Sequence, residues 1–164
     1  MSKITNVSAV LLLGVAAPFL FSGNSPFVGT WKLDSRQSKF TIGDPSFMFA
    51  TMQIEQAENG LKSTASGADG KGYASDFTFT CSLDGAPCRV VSMSLMRSKS
   101  AVDTVSLKRV EDRTILATGM KNGKLVYNDR RVVSDDGNTL TVARKGFTPD
   151  GKPYESTIVL LRSH

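Results

Sequence analysis

Apolar and polar positions alternate along most of this chain in short runs, and turn dipeptides separate the runs. Asn59-Gly60, Asp69-Gly70, Asp84-Gly85, Asn122-Gly123, Asp136-Gly137 and Asp150-Gly151 supply the positive backbone angles that tight hairpins need. They recur every ~10 to 15 residues over much of the chain. The gap between Gly85 and Asn122 is divided by 97–101 and by Glu111-Asp112-Arg113. Strands are predicted over 28–33, 47–56, 61–67, 73–82, 88–96, 102–110, 114–120, 125–134, 139–146 and 153–162. In the second, Met48, Ala50, Met52 and Ile54 share one face, and Phe47, Phe49, Thr51 and Gln53 the other. In the fourth, Tyr73, Phe77, Phe79 and Cys81 point to one side. No helical stripe appears after the N-terminal segment.

About ten short strands joined by short loops predict an all-β domain. Paired consecutively in one sheet, they leave two bare edges unless the sheet closes. A single antiparallel up-and-down barrel of about 8–10 strands closes it and gives the alternation an inside and an outside. A two-sheet β-sandwich is the alternative, although it needs longer crossovers. Residues 34–46 form the longest irregular link, in which Asp34-Ser35 can cap one turn before Gly43 and Pro45 stop it. This link reads as a strap across one barrel end, with a lid as the other reading.

The first 23 residues follow a different pattern. Lys3 precedes an apolar stretch from Val7 to Phe21, and no charge falls between Lys3 and Lys32. That is the layout of a secretory signal peptide, with exits after Ala17, Ser22 or Gly23. The run is short for a membrane span, and Gly14 and Pro18 weaken it further; an uncleaved anchor is the alternative. No Cys stands near the exit to carry a lipid. The division expected is therefore 1–23 for export and 24–164 for the barrel, in a secreted or periplasmic protein with no membrane span after cleavage.

Charge changes this picture little. Of 20 Lys plus Arg and 15 Asp plus Glu, the export segment removes only Lys3, leaving 19 against 15, a net of +4. The cations are scattered, so a solvated surface is expected rather than a nucleic-acid partner. The single His is the last residue, His164, and no Gly-x-Ser-x-Gly elbow or phosphate-cradling loop occurs. No catalytic residue, metal site or cofactor is expected, and the chain reads as a non-enzyme.

Phe27-Val28-Gly29-Thr30-Trp31-Lys32-Leu33 carries a recognisable motif. It resembles the Gly-x-Trp first strand of the calycins, the superfamily of lipocalins and fatty-acid-binding proteins. The stretches TVSLKRVED, RRVVSDDGNTLTV and DGKPY look like bacterial secreted lipocalin-like proteins, and the resemblance covers most of 27–162. It implies that Gly29, Trp31 and Arg162 are structural, with the Arg162 guanidinium covering the Trp31 indole at the barrel bottom. The Thr-Asp-Tyr-like loop motif of transport lipocalins and the Arg-x-Tyr of fatty-acid-binding proteins are both missing. The helix pair that fatty-acid-binding proteins carry after their first strand is replaced by the 34–46 link. A fatty acid is therefore not implied.

Cys81 and Cys88 flank SLDGAP, and a hairpin would bring them close enough for a disulfide in an oxidising compartment. Arg130 and Arg131 are adjacent on a strand, so one should point inward. With Tyr127, Arg144 or Tyr154 beside it, that residue could hold a ligand carboxylate or phosphate. The plainer reading leaves both arginines solvated or paired with Asp129 and Asp135. Phe47, Phe49, Met52, Phe77, Phe79, Met93 and Met96 would line either a packed core or a binding cavity.

The leading expectation is non-enzymatic binding of a small, mostly apolar or amphipathic ligand by a monomeric barrel. A ligand-free structural or protein-interaction domain at the cell envelope is the alternative, and a lipocalin-like isomerase stands third. A cavity of several hundred Å³ beside an inward Arg favours the first. An interior filled by Phe and Met favours the second.

Overall fold

The computed structural model describes residues 25–41, 49–68, 74–92, 102–148 and 150–163. Residues 1–23, expected to serve export, lie outside them together with Phe47, Tyr73, Met93 and Met96, as does the side chain of Phe49. Among the described residues every regular element is a strand: β1 (Gly29–Leu33), β2 (Phe49–Ala57), β3 (Gly60–Ala68), β4 (Ala74–Ser82), β5 (Asp84–Arg89), β6 (Val91–Ser92), β7 (Thr104–Glu111), β8 (Thr114–Lys121), β9 (Lys124–Val133), β10 (Thr139–Phe147) and β11 (Pro153–Ser163). All pair antiparallel in the order β5-β7-β8-β9-β10-β11-β1-β2-β3-β4-β6.

The two ends of that order, β5 and β6, are consecutive in the chain. They are halves of one strand interrupted at Val90, one half pairing with β7 and the other with β4. The sheet therefore returns on itself as a nearly closed up-and-down barrel of ten strands, counting β5–β6 as one. This is the barrel expected from the alternation rather than the sandwich. Alternation persists in the burial: along β9 Tyr127, Asp129, Arg131 and Val133 are buried, with more accessible residues between them. On β10, Leu140, Val142, Arg144 and Gly146 repeat the pattern.

Turn chemistry fixes several of the hairpins. Asn122 and Gly123 both adopt positive φ, of 49° and 74°, as a two-residue turn between β8 and β9 requires. The Asp84-Gly85 turn stands where expected, because Phe77↔Ser92, Thr78↔Val91 and the Cys81–Cys88 pair are all centred on it. The same two residues also open β5, and Gly85 (φ 98°) lies in a register shift of its ladder with β7 between Asp84 and Pro87, a bulge. The strand expected over 88–96 begins at Asp84 and is interrupted at Val90.

The core is continuous. Phe27, Trp31, Leu61, Leu107, Ile115, Leu140 and Leu160 are almost fully buried, and Phe79, Cys81 and Val133 join them. Trp31 donates its indole N–H to the Phe27 carbonyl at 2.8 Å. The described part of the 34–46 link behaves as a strap. The Asp34 carboxylate accepts from the backbone N–H groups of Arg36 and Gln37, and Lys39 bridges to Thr157 of β11 by two backbone hydrogen bonds.

Candidate functional site

The structure resolves the Arg130–Arg131 alternative through the strand period. Arg131 points into the barrel with 6% of its side chain exposed, while Arg130 lies on the outer face, 51% exposed, 3.6 Å from Glu111. Arg130 therefore stands apart from the other expected ligand residues.

Inside, Arg131 meets Asp129, two residues earlier and hence on the same face of β9. Arg131 Nη2 donates to Asp129 Oδ2 at 3.0 Å, and its Nε lies 3.3 Å from the same oxygen. Arg144 of β10 stands directly opposite Asp129 in the ladder. It donates Nε to Oδ1 at 2.6 Å and Nη2 to Oδ2 at 2.7 Å, the two-pronged geometry of an ideal guanidinium–carboxylate pair. The Asp129 side chain has no exposed surface and that of Arg144 only 5%. The Arg144 guanidinium also lies 3.8 Å from the centre of the Tyr127 ring, a cation–π stack.

Small residues make room for this arrangement. Tyr127 faces Gly119 on β8 and Gly146 on β10 in register. A side chain at Gly119 would run into the Tyr127 ring, so the glycine there is a seat for the phenol.

The ionisation of the cluster follows from competing effects. Burial pushes the Asp129 carboxyl up, but the Arg144 guanidinium, its hydrogen bonds and then Arg131 outweigh burial and hold it below the usual carboxylate range. Burial likewise opposes the Arg144 cation, and the Asp129 carboxylate overrides it, holding the group above an ordinary arginine. Tyr127 is pushed up by burial against the pull of Arg144, so the phenol is neutral at physiological pH. Arginine stays charged in proteins. Among the described residues two guanidinium charges thus share one carboxylate inside the barrel, one positive charge more than it balances.

The cluster lines one wall of an interior cavity. Met52, Ser63, Ala65, Phe77, Phe79 and Ile158 form much of the rest, so most of its surface is apolar. Phe77 and Phe79 stack with ring centres 6.3 Å apart. The cavity leaves only about 20 Å³ for the centre of a water molecule to occupy, the room that roughly one water needs. Of the two features that separate carrier from packed barrel, the inward arginine is present, and the space that the described residues enclose beside it is small.

Asp129 was the residue sequence reasoning undervalued, as a surface partner of solvated arginines. Its signal lay in the strand period, since an inward Arg131 forces Asp129 inward too. Met52, Phe77, Phe79, Tyr127, Arg131 and Arg144 come together at the cavity; Met93 lies outside the described residues.

Gly29, Trp31 and Arg162 meet at one end of the barrel. Arg162 stacks 4.2 Å from the Trp31 ring and donates to the carbonyls of Val28, Pro26 and Gly137 at 2.6, 2.8 and 2.6 Å. Gly29 (φ 143°) leaves the space that the Arg162 guanidinium occupies, and any Cβ there would collide with it. Cys81 and Cys88 are joined in a disulfide. It ties β4 to β5, although β5 has its ladder with β7. Among the described residues no group of three His, Cys, Asp or Glu could hold a metal ion, and no helix is long and apolar enough to cross a membrane. No known family model matches this chain, and no curated protein is similar enough to count as its relative.

Proposed function

We propose that this protein is a secreted or periplasmic, calycin-like, non-enzymatic barrel that binds a small amphipathic molecule bearing one negative charge. The observation that carries the reading is the interior charge. A buried ion pair is already no more stabilising than well-packed apolar residues, and an uncompensated buried charge costs several kcal/mol. A core built only for packing gains nothing from Arg131, because Asp129 and Arg144 alone are a neutral pair with two hydrogen bonds. An anionic group beside Arg131 and Arg144 supplies the missing counter-charge. The ligand's apolar part takes the side of Met52, Phe77 and Phe79, and makes room by moving them; Met is the more adaptable of the two residue types.

The small cavity favours a second reading, in which the barrel is filled and works through its outer surface at the cell envelope. One pair of probes separates the two. Anilinonaphthalene sulfonate is apolar and singly anionic; N-phenylnaphthylamine has a similar body without the charge. The wild type is expected to prefer the anionic probe by roughly tenfold or more, the worth of one charge-assisted contact. Arg131→Met, which leaves a neutral interior, is expected to erase that preference while keeping the fold. A barrel that takes up neither probe, and is bare by native mass spectrometry when purified from its own envelope extract, supports the second reading.

A further inference from the structure

Ser63 is a polar residue set into the apolar wall of the cavity. β3 turns Leu61, Ser63 and Ala65 to the interior, and Ser63 is only 2% exposed. Its register partners are Ile54 on β2 and Phe79 on β4, and its neighbours on the same face of β3 are Leu61 and Ala65. All four are buried apolar side chains, and none of them offers its hydroxyl a side-chain partner. Burying a hydroxyl costs free energy unless something bonds it, so a wall built only for packing is better served here by Ala or Val.

The position of Ser63 in the barrel gives that hydroxyl a meaning. With β5–β6 counted as one strand, β3 stands five places from β9 in an order of ten, on the opposite side of the barrel. Ser63 therefore faces Asp129 and Arg131 across the cavity that all three line, with Met52 and Phe77 on the strands to either side of it. One side of the cavity holds two cations, and the far side holds a hydroxyl among apolar groups. We propose that Ser63 is a specificity-determining residue, selecting small amphipathic acids that carry a hydroxyl or carbonyl at the end opposite the acid group. A serine hydroxyl both donates and accepts, so either group can pair with it. The proposal rests on the ligand reading above, because it needs the acid end held by Arg131 and Arg144. An acid with a wholly apolar tail leaves the Ser63 hydroxyl unmatched, and a site with a buried polar group rejects such a ligand more strongly than an apolar pocket can.

A pair of acids tests this. 2-Naphthoate and 6-hydroxy-2-naphthoate share a rigid body and a single negative charge, and differ by a hydroxyl at the far end. Titration calorimetry is expected to show the wild type preferring the hydroxy acid by about fivefold, the worth of one hydrogen bond. Ser63→Ala is expected to reverse that order, because the ligand hydroxyl is then buried without a partner. Arg131→Met is expected to weaken both acids alike and to leave their order unchanged. The melting temperature of Ser63→Ala is expected to match or exceed that of the wild type, since a hydroxyl kept for a ligand holds nothing in the fold. A Ser63→Ala protein that fails to fold, or melts several degrees lower, overturns the proposal. So does an affinity ratio that Ser63→Ala leaves as it was while both acids bind, and the ligand reading survives either result. If the wild type takes up neither acid, the proposal falls, and anilinonaphthalene sulfonate decides the ligand reading by itself.

Discussion

Arg162 lies over Trp31 at one end of the barrel, and Arg144 lies over Tyr127 in its interior; the ring distances, 4.2 and 3.8 Å, are nearly the same. Their other partners differ. Arg162 is surrounded by three backbone carbonyls and remains partly exposed, so its charge is met by neutral dipoles and by solvent. Arg144 is almost wholly buried and meets a carboxylate that it must share with Arg131. The first arrangement closes a barrel end and is complete within the chain. Among the described residues the second holds more positive charge than its one carboxylate balances, and the proposed ligand reading rests on that difference.

The comparison breaks most sharply at Asp129. Asp129→Ala leaves two guanidinium groups facing each other without a carboxylate. The expected cost is about 5 kcal/mol, the upper part of the range for removing one partner of a buried pair. Urea unfolding at neutral pH measures it. A cost below about 1 kcal/mol means that the interior is wetter than its burial implies, and the charge argument falls with it.

The same carboxylate gives the stability its pH dependence. The folded-state value of Asp129 lies below the unfolded value near 3.8, so its contribution is fully present above that value. It is lost as pH falls from there through the folded-state value. Stability measured between pH 7 and pH 2 is expected to decline on the acid side of about 4. Asp129→Asn is expected to remove that part of the decline. An unchanged acid limb in the variant assigns the decline to other carboxylates.

Arg162→Ala is expected to cost less, about 2 kcal/mol, for the lost ring contact and charge-assisted bonds. Water can reach the three carbonyls at this end, and the Trp31 N–H keeps its bond to Phe27. If Arg162→Ala proves costlier than Asp129→Ala, the two arginines have been ranked in the wrong order.

Most of the fold was legible in the chain because period-two alternation and Asn-Gly or Asp-Gly turns are local signals. The Arg162–Trp31 contact followed from a resemblance carried by three positions. Asp84-Gly85 reads as a turn, which it is, but its bulge against β7 was not visible, because that depends on the partner strand. The cluster was half visible. Arg131 and Arg144 were named, yet their common partner was not, since finding it required knowing which face of β9 is inside and that residue 144 stands opposite residue 129.

The smallest expected effect is also the cleanest control. Arg130 follows Asp129 directly and has the same chemistry as Arg131, but it faces outward, half exposed, with a loose pairing to Glu111 at 3.6 Å. Exposed pairs of this kind contribute about 0–1 kcal/mol. Arg130→Ala is therefore expected to change stability by less than about 0.5 kcal/mol and to leave the preference for an anionic probe intact. Arg131→Met, one residue away, is expected to abolish that preference. Alternation alone separates the two outcomes, because one position along a strand exchanges solvent for the barrel interior. Equal effects at both positions mean either that the strand slips in register or that anion preference belongs to the outer surface, and each undoes the distinction between the complete barrel end and the incomplete interior.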